Sequence, residues 1–180
     1  MNEIEMHFLN VNVEALEKKL YEIGAERVSE EILEEWIFKK PEWKGKNGRL
    51  RIRRKNMQSE ECEIAYKEFT QDVADGNLEI EFKVARVSEA VLFVEKMDIP
   101  LSRHQQKKRI HYRVGDIQVD IDFWPLIPPY LEIEGETREK VEALARQLGF
   151  DPAQASGLDN FYIYKDVYGI NVDEIKELVF

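Results

Sequence analysis

The chain has 180 residues, of which 43 % are hydrophobic and 34 % are charged, and its formal net charge is −10 at neutral pH. This composition indicates a folded protein rather than a disordered one, and its acidity argues against binding to nucleic acid. The single cysteine, Cys62, excludes an intramolecular disulfide bond and suits a reducing cytoplasm.

The chain contains no targeting or membrane signal that we can recognise. No apolar run approaches the roughly 18 residues needed to span a bilayer. The N-terminus lacks the basic, apolar and small-residue order of a signal peptide. We therefore expect one cytoplasmic domain over residues 1–180 that does not associate with membranes.

Apolar and charged residues alternate with a period of two along much of the chain, which predicts β-strands. In chain order, the predicted strands are residues 2–9, 26–40, 48–54, 61–69, 78–85, 107–114, 117–123 and 130–136. Residues 41–47 are predicted to form a loop, and residues 72–77 a turn.

Three helices are predicted from apolar residues at helical spacing. Each has a capping residue at its start and a glycine or proline after its end: Asn12 and Gly24, Ser88 and Pro100, Thr137 and Gly149. The tail, residues 159–168 and 172–180, is also predicted to be helical and amphipathic.

The segment Gly48–Arg54 has one apolar face and one basic face. Leu50 and Ile52 alternate with Arg49, Arg51 and Arg53. Three guanidinium groups on one face repel each other unless an anion lies over them, and their geometry suits phosphate oxygens. The alternative is an exposed strand whose basic face is only solvated.

Other strands also carry charge on one face, and several carry a single sign. The acidic faces hold Glu3 and Glu5, Asp120 and Asp122, and Glu132 and Glu134. A second basic face holds Lys107, Arg109 and His111, and a mixed face holds Glu79, Glu81 and Lys83.

If the helices cover the apolar faces, the charged faces must point away from the helices. The sequence therefore predicts an α+β fold: an eight-stranded antiparallel closed β-barrel, a tunnel, with a charged lumen and helices packed outside. An open sheet with solvated charged faces is the alternative. The segregation of charge by strand favours the lumen, whose acidic and basic sides would fit a polyanion with a divalent metal.

The segment Glu3-Ile4-Glu5-Met6-His7 resembles the Glu-x-Glu-x-Lys signature of the CYTH superfamily, the triphosphate tunnel metalloenzymes. That family includes class IV adenylyl cyclases, thiamine triphosphatases and inorganic triphosphatases. The resemblance continues, in order, through Leu50-Arg51-Ile52-Arg53, Tyr66-Lys67, Glu79-x-Glu81, Lys107-x-Arg109, Val119-Asp120 and Leu131-Glu132-Ile133-Glu134. The family fold is an eight-stranded antiparallel tunnel, which agrees with the fold that the alternation predicts.

The resemblance implies a role for each group of charged residues. One or two divalent cations, Mg²⁺ or Mn²⁺, would be held by Glu3, Glu5, Glu132 and Glu134, with Asp120 assisting. The triphosphate would be bound by Arg51, Arg53, Lys67, Lys107 and Arg109. Glu79 and Glu81 would serve the metal or orient the basic side chains. The chemistry itself would fall to Glu3, Glu5, His7 and Lys67.

His7 departs from the signature, because the family has a lysine at this position. An imidazole with an ordinary pKa of about 6.5 is charged only part of the time at neutral pH. Three roles follow for His7: a protonated group that serves phosphate, a neutral lumen residue, or an added metal ligand.

The favoured function is metal-dependent hydrolysis of a phosphoanhydride bond in a triphosphate, either inorganic tripolyphosphate or a nucleoside or other organic triphosphate. One alternative is a class IV adenylyl cyclase that converts ATP to cyclic AMP and pyrophosphate. The other is a non-catalytic module that binds polyphosphate or nucleotide. The expected partner is a small-molecule triphosphate rather than nucleic acid, and the tail leaves a homodimer open.

Overall fold

The computed structural model describes residues 4–46, 48–68, 78–156 and 163–180. It contains nine strands, which we number β1 Ile4–Phe8, β2 Glu26–Phe38, β3 Arg49–Lys55, β4 Cys62–Glu68, β5 Leu78–Val84, β6 Leu101–Val114, β7 Ile117–Phe123, β8 Tyr130–Gly135 and β9 Glu177–Leu178. The α-helices are α1 Val13–Glu22, α2 Val87–Lys96 and α3 Arg138–Gln147. Shorter helical turns are Pro41–Lys46, Pro152–Gln154, Ile163–Val167 and Val172–Glu174.

The strands form an antiparallel sheet in the order β1-β8-β7-β6-β2-β3-β4-β5, to which β9 adds by parallel pairing with β6. The antiparallel sheet and the α+β class that the sequence predicts are therefore confirmed. In the described part of the chain, no ladder joins β1 to β5, so closure of the sheet into a barrel stays a prediction.

The chain divides into two compact units. This division does not test the prediction of one domain. The first unit comprises residues 1–31 and 108–172, and the second comprises residues 32–107 and 173–180. None of the described helices is long and apolar enough to cross a lipid bilayer.

The core of the first unit forms where α1 and α3 contribute apolar faces to the same cluster as the strands. Leu16 and Leu20 of α1 and Val141 and Leu144 of α3 are buried with strand residues such as Ile133. Burial of this apolar surface is the main force that holds the helices to the sheet.

The predicted limits of these two helices are confirmed. Asn12 accepts a hydrogen bond from the amide of Ala15 at 3.0 Å, and Thr137 accepts one from the amide of Lys140 at 3.4 Å. Gly24 and Gly149 follow the two helices with positive φ angles of 74° and 85°, which glycine adopts without strain.

The core of the second unit packs around α2. Val87, Ala90 and Val94 of this helix are buried in one cluster with Phe38 and Ile52. The predicted cap Ser88 is wrong, because α2 begins at Val87 with Arg86 in the N-cap position and no side-chain cap bond.

Two further expectations are corrected by the strand pairing. Strand β6 begins at Leu101 rather than at Lys107, since polar residues such as Gln105 and Gln106 are buried within it. The end of the tail is not helical throughout, because Glu177–Leu178 pairs in parallel with His104 and Gln105. The predicted turn at residues 72–77 lies outside the described residues.

Candidate functional site

Strand register in the first unit aligns the predicted acidic residues in rows across β1, β8, β7 and β6. Direct cross-strand partners point to the same face of a sheet. The central row is His7, Glu132, Asp120 and His111. The row on one side is Glu5, Glu134, Gln118 and Arg113, and the row on the other side is Tyr130, Asp122 and Arg109. The strand period therefore brings residues that are distant in sequence onto one charged face.

Glu5, His7 and Glu132 form a group that is able to hold a metal ion. One donor atom from each residue lies within 4.8 Å of the donor atoms of the other two. The Nε2 atom of buried His7 lies 3.4 Å from Oε2 of Glu132. Its Nδ1 atom is buried and has no hydrogen-bond partner among the described residues. Two carboxylates with an imidazole that has a spare nitrogen fit a divalent cation that accepts oxygen and nitrogen ligands, as Mn²⁺ does.

Charge surrounds His7 on this face. Burial alone would lower the pKa of His7, but the hydrogen bond and negative charge of Glu132, with the charges of Glu5 and Asp122, raise it above the ordinary 6.5. In the metal-free protein the imidazole is therefore protonated over a wider pH range than in solution.

The raised pKa of His7 predicts a pH-dependent contribution to stability. In EDTA, the wild-type protein should be more stable than His7→Gln below the unfolded pKa of 6.5. This advantage should be lost as pH rises through the higher folded pKa, because the imidazolium then gives up its proton and its attraction to Glu132. Denaturant unfolding of both proteins between about pH 5 and 8 measures the difference. A difference that does not change with pH would contradict the assignment, and a Glu132→Gln background should flatten it.

Arg109 lies among three carboxylates of the same face. Its Nε and Nη2 atoms bond the two oxygens of Asp122 at 2.6 and 2.7 Å, and Nη1 lies 2.5 Å from Asp120. Nη2 also contacts both oxygens of Glu132 at 3.1 and 3.2 Å. Burial would lower the pKa of Arg109, but the charge and hydrogen bonds of Asp122, then Glu132 and Asp120, raise it further above its usual range. This arginine therefore stays charged.

Asp120, another predicted metal ligand, is buried among charged groups of the same face. Burial raises its pKa, the charge of Arg109 and a 2.6 Å hydrogen bond from His111 oppose this rise, and the charges of Asp122 and Glu132 add to it. The net shift is upward. Asp120 is thus buried within this network, whereas Glu5 on β1 is exposed.

Three of the five predicted phosphate-binding residues, Arg51, Arg53 and Lys107, surround a carboxylate in the second unit that sequence reasoning missed. Glu35 is only 3 % exposed and accepts hydrogen bonds from Arg53 Nε and Gln105 Nε2, each at 2.6 Å. Burial favours its neutral form, but the positive charges of Arg53, Arg51 and Lys107 outweigh burial and hold its pKa well below the usual range. Glu35 thus stays ionised at the centre of three cations. The two successive acids at positions 34 and 35, within an apolar run, were the available signal.

Arg51 reaches from β3 to β5 across a small residue on β4. Arg51, Ala65 and Glu81 are direct cross-strand partners, and Arg51 Nη2 lies 3.3 Å from Glu81 Oε2. Ala65 is fully buried between them. A larger side chain at position 65 would occupy the space that lets this guanidinium approach the third strand.

The remaining predicted residues are distributed as follows. Lys107 is buried, and Lys67 is half-buried on β4, where its cross-strand partners are Arg49 and Glu79. Glu134 is half-buried in the row that contains Glu5. Glu3 and the side chain of Glu79 lie outside the described part of the structure.

Arg54, on the opposite face of β3, belongs to a separate network. Its Nε atom bonds Glu34 at 2.5 Å, and its guanidinium lies 5.6 Å from the centre of the Trp36 ring. His104 bonds the same Glu34 at 2.8 Å and stacks on Trp36. These contacts fix strands β2, β3 and β6 and use none of the predicted ligand-binding residues.

Fold and site together define an α+β protein whose antiparallel sheet carries a group suited to a divalent cation on a charged face. The chain belongs to the CYTH domain family, whose match covers residues 1–159. The family predicted from the sequence is thereby confirmed.

Solved structures share this fold. The PH1012 protein from Pyrococcus horikoshii is 23 % identical, with a TM-score of 0.71 over 86 % of this chain and 94 % of that one. A protein from Vibrio parahaemolyticus, described as a candidate adenylate cyclase, is 19 % identical, with a TM-score of 0.74 over 93 % and 98 %. HpAC1 from Hippeastrum, a candidate adenylyl cyclase described as having a dominant triphosphatase activity, is 14 % identical, with a TM-score of 0.65 over 92 % and 96 %. A search of curated proteins gave no match.

Proposed function

We propose that this protein is a metal-dependent enzyme that hydrolyses a phosphoanhydride bond of a small-molecule triphosphate. The observation that carries the proposal is the group Glu5, His7 and Glu132, whose donor atoms lie within 4.8 Å of one another. Membership of the CYTH family, whose enzymes depend on metals, supports it. The closed barrel, the cytoplasmic location and a choice between Mg²⁺ and Mn²⁺ are finer parts of the same proposal.

The cation site would involve Glu5, His7 and Glu132. A divalent cation bound there supplies charge neutralisation on the phosphate oxygens and activation of the attacking water. Mn²⁺ suits this mixed set of oxygen and nitrogen ligands better than Mg²⁺, which prefers oxygen ligands.

The cationic group of the second unit supports the phosphate-binding half of the proposal. Arg51 and Lys107 are buried, and Arg53 is held by Glu35 through a 2.6 Å bond. Cations held in a partly buried site lose little further freedom when they bind an anion, and guanidinium groups match phosphate oxygens in geometry. We assign Arg51, Arg53 and Lys107 to the phosphate oxygens, with Lys67 as a further cation.

The proposed reaction is a displacement at the terminal phosphorus. The oxygen of water forms a bond to phosphorus while the anhydride P–O bond breaks. The leaving diphosphate keeps the electron pair, and the proton lost by the attacking water passes to solvent. Arginine and lysine stabilise the negative charge on the transferred and leaving oxygens.

A panel of substrates tests the proposal. Tripolyphosphate, ATP and thiamine triphosphate would each be incubated with the protein in Mg²⁺, in Mn²⁺ and in EDTA, with phosphate and cyclic AMP measured as products. We expect phosphate release from at least one substrate with a metal and none in EDTA. Cyclic AMP from ATP would instead identify a cyclase, and binding without turnover of any substrate would identify a binding module.

The alanine variant of Arg51 should separate ligand binding from folding. Loss of charged hydrogen bonds to phosphate should weaken tripolyphosphate binding roughly 10- to 100-fold, with a smaller effect on stability. Arg54→Ala is the matched control, because Arg54 lies on the same strand but bonds Glu34 in the other network. It should lower stability and leave binding unchanged. Calorimetric titration and denaturant unfolding measure the two effects, and the reverse pattern would remove Arg51 from the site.

A further inference from the structure

Arg109 meets Asp122 through two nitrogens, Nε and Nη2, whereas it meets Asp120 through one nitrogen, Nη1, at 2.5 Å. Asp122 is fully buried, is the direct cross-strand partner of Arg109, and accepts two parallel hydrogen bonds at 2.6 and 2.7 Å. A two-point bond of this kind fixes both the position and the plane of a guanidinium group. Asp122 therefore acts as the anchor of Arg109.

The anchored guanidinium reaches Glu132 through a nitrogen that already bonds Asp122. The distances from Nη2 to the two oxygens of Glu132 are 3.1 and 3.2 Å, longer than the bonds to Asp122. A glutamate side chain has several rotatable bonds, and a fixed partner reduces the conformations that it samples. Arg109 thus restrains the Glu132 carboxylate.

Glu132 is the residue that this restraint affects most. Its carboxylate also lies 3.4 Å from His7 Nε2 and belongs to the group of three donors. Groups that hold a metal ligand from behind commonly change metal affinity 10- to 100-fold when they are removed. Arg109, which lies 3.1 and 3.2 Å from the two oxygens of Glu132, is placed to support this ligand in the same way.

We propose that Arg109 is a positioning residue, anchored by Asp122, that orients Glu132 for a divalent cation rather than binding the triphosphate. This inference rests on the proposed function, since it takes Glu132 as a cation ligand. It departs from the phosphate-binding role that the family resemblance implies for Arg109.

Two variants test the anchor and the positioning residue separately. Arg109→Lys keeps the positive charge but loses the two-point bond, and Asp122→Asn removes the charge of the anchor while keeping its shape. Arg113→Lys is the matched control, because Arg113 is exposed on the same strand in the row that contains Gln118. Binding of Mn²⁺ would be measured by calorimetry without substrate, and binding of tripolyphosphate would be measured in EDTA.

We expect both variants to weaken Mn²⁺ binding roughly 10- to 100-fold, while tripolyphosphate affinity in EDTA changes by less than about twofold. The control should match the wild type in both measurements. Unchanged Mn²⁺ affinity, or a loss confined to tripolyphosphate, would overturn the inference. Should one variant fail to fold, as judged by circular dichroism in EDTA, the other decides by the same two criteria.

If neither variant folds, the same two affinities are measured for Arg109→Gln, because its amide retains a hydrogen bond but loses the two-point bond. Failure of the proposed function has a separate signature. A wild-type protein that binds no Mn²⁺ would reject the cation site itself, whereas equal binding by the wild type and Arg109→Lys would reject only the role of Arg109.

Discussion

Glu132→Gln should remove most of the cation affinity and, with it, the metal-dependent activity. The group of Glu5, His7 and Glu132 contains two carboxylates, and this change replaces one of them by a neutral amide. An amide is a weaker ligand for a hard cation than a carboxylate. We expect Mn²⁺ affinity to fall at least about 100-fold. Removal of a group that only supports a metal ligand typically costs up to about 100-fold, and removal of the ligand itself should cost no less. Calorimetric titration of the substrate-free protein measures it.

Glu134→Gln provides the control for this experiment. Glu134 lies on the same strand and face, and it was also predicted to be a metal ligand, but it is not in the group whose donor atoms lie within 4.8 Å. We expect a smaller loss of affinity from it. Equal losses in the two variants would extend the site to Glu134, and a Glu132→Gln protein that binds Mn²⁺ normally would place the site elsewhere.

Glu35→Gln should lower the free energy of unfolding more than any of the other substitutions named above. The change removes a buried negative charge that Arg53, Arg51 and Lys107 surround, so the repulsion among these cations increases. Breaking a buried ionic network in this way costs about 3 kcal/mol in free energy of unfolding. Denaturant unfolding in EDTA measures the loss.

Tripolyphosphate should restore part of the stability that Glu35→Gln loses, because the anion supplies the missing negative charge. Glu34→Gln is the matched control: it breaks the bonds from Arg54 and His104, so it should also lower stability but show no enhanced response to the ligand. A ligand-induced shift no larger than that of the wild type would contradict the placement of phosphate near Glu35.

Glu35 also makes the free energy of unfolding depend on pH in acid. Because the folded pKa of Glu35 is depressed, its contribution is fully present above the unfolded value of 4.5 and is lost only as pH falls through the lower folded value. The stability difference between the wild type and Glu35→Gln should therefore persist at pH 4.5 and shrink in stronger acid.

Much of the fold could be predicted because its strands alternate with a period of two. Ile52 is fully buried while Arg51 and Arg53 lie on the other face, as the alternation predicts. The alternation does not reveal the start of β6, because Gln105 there is polar and yet buried. A hydrogen bond to Glu35 on another strand satisfies its amide. Hydropathy of a single segment does not report such partners.

Residue types and faces at the site could also be predicted, but their pairing could not. The sequence placed Arg109 on a charged face and the family resemblance gave it to phosphate, whereas the structure surrounds it with Asp120, Asp122 and Glu132. Which carboxylate faces which cation depends on strand register, which is set by the whole sheet. Glu35 was missed for the same reason.

The arrangement of the site in cross-strand rows limits how the length of its strands is able to vary. Deletion of one residue inside β8 would turn Leu131 or Ile133 toward His7 and send the acidic side chains into the apolar cluster beneath the helices. Insertions and deletions should therefore be tolerated in the connecting loops, while within Ile117–Phe123 and Tyr130–Gly135 a single-residue change in length would destroy the cation site and the core together.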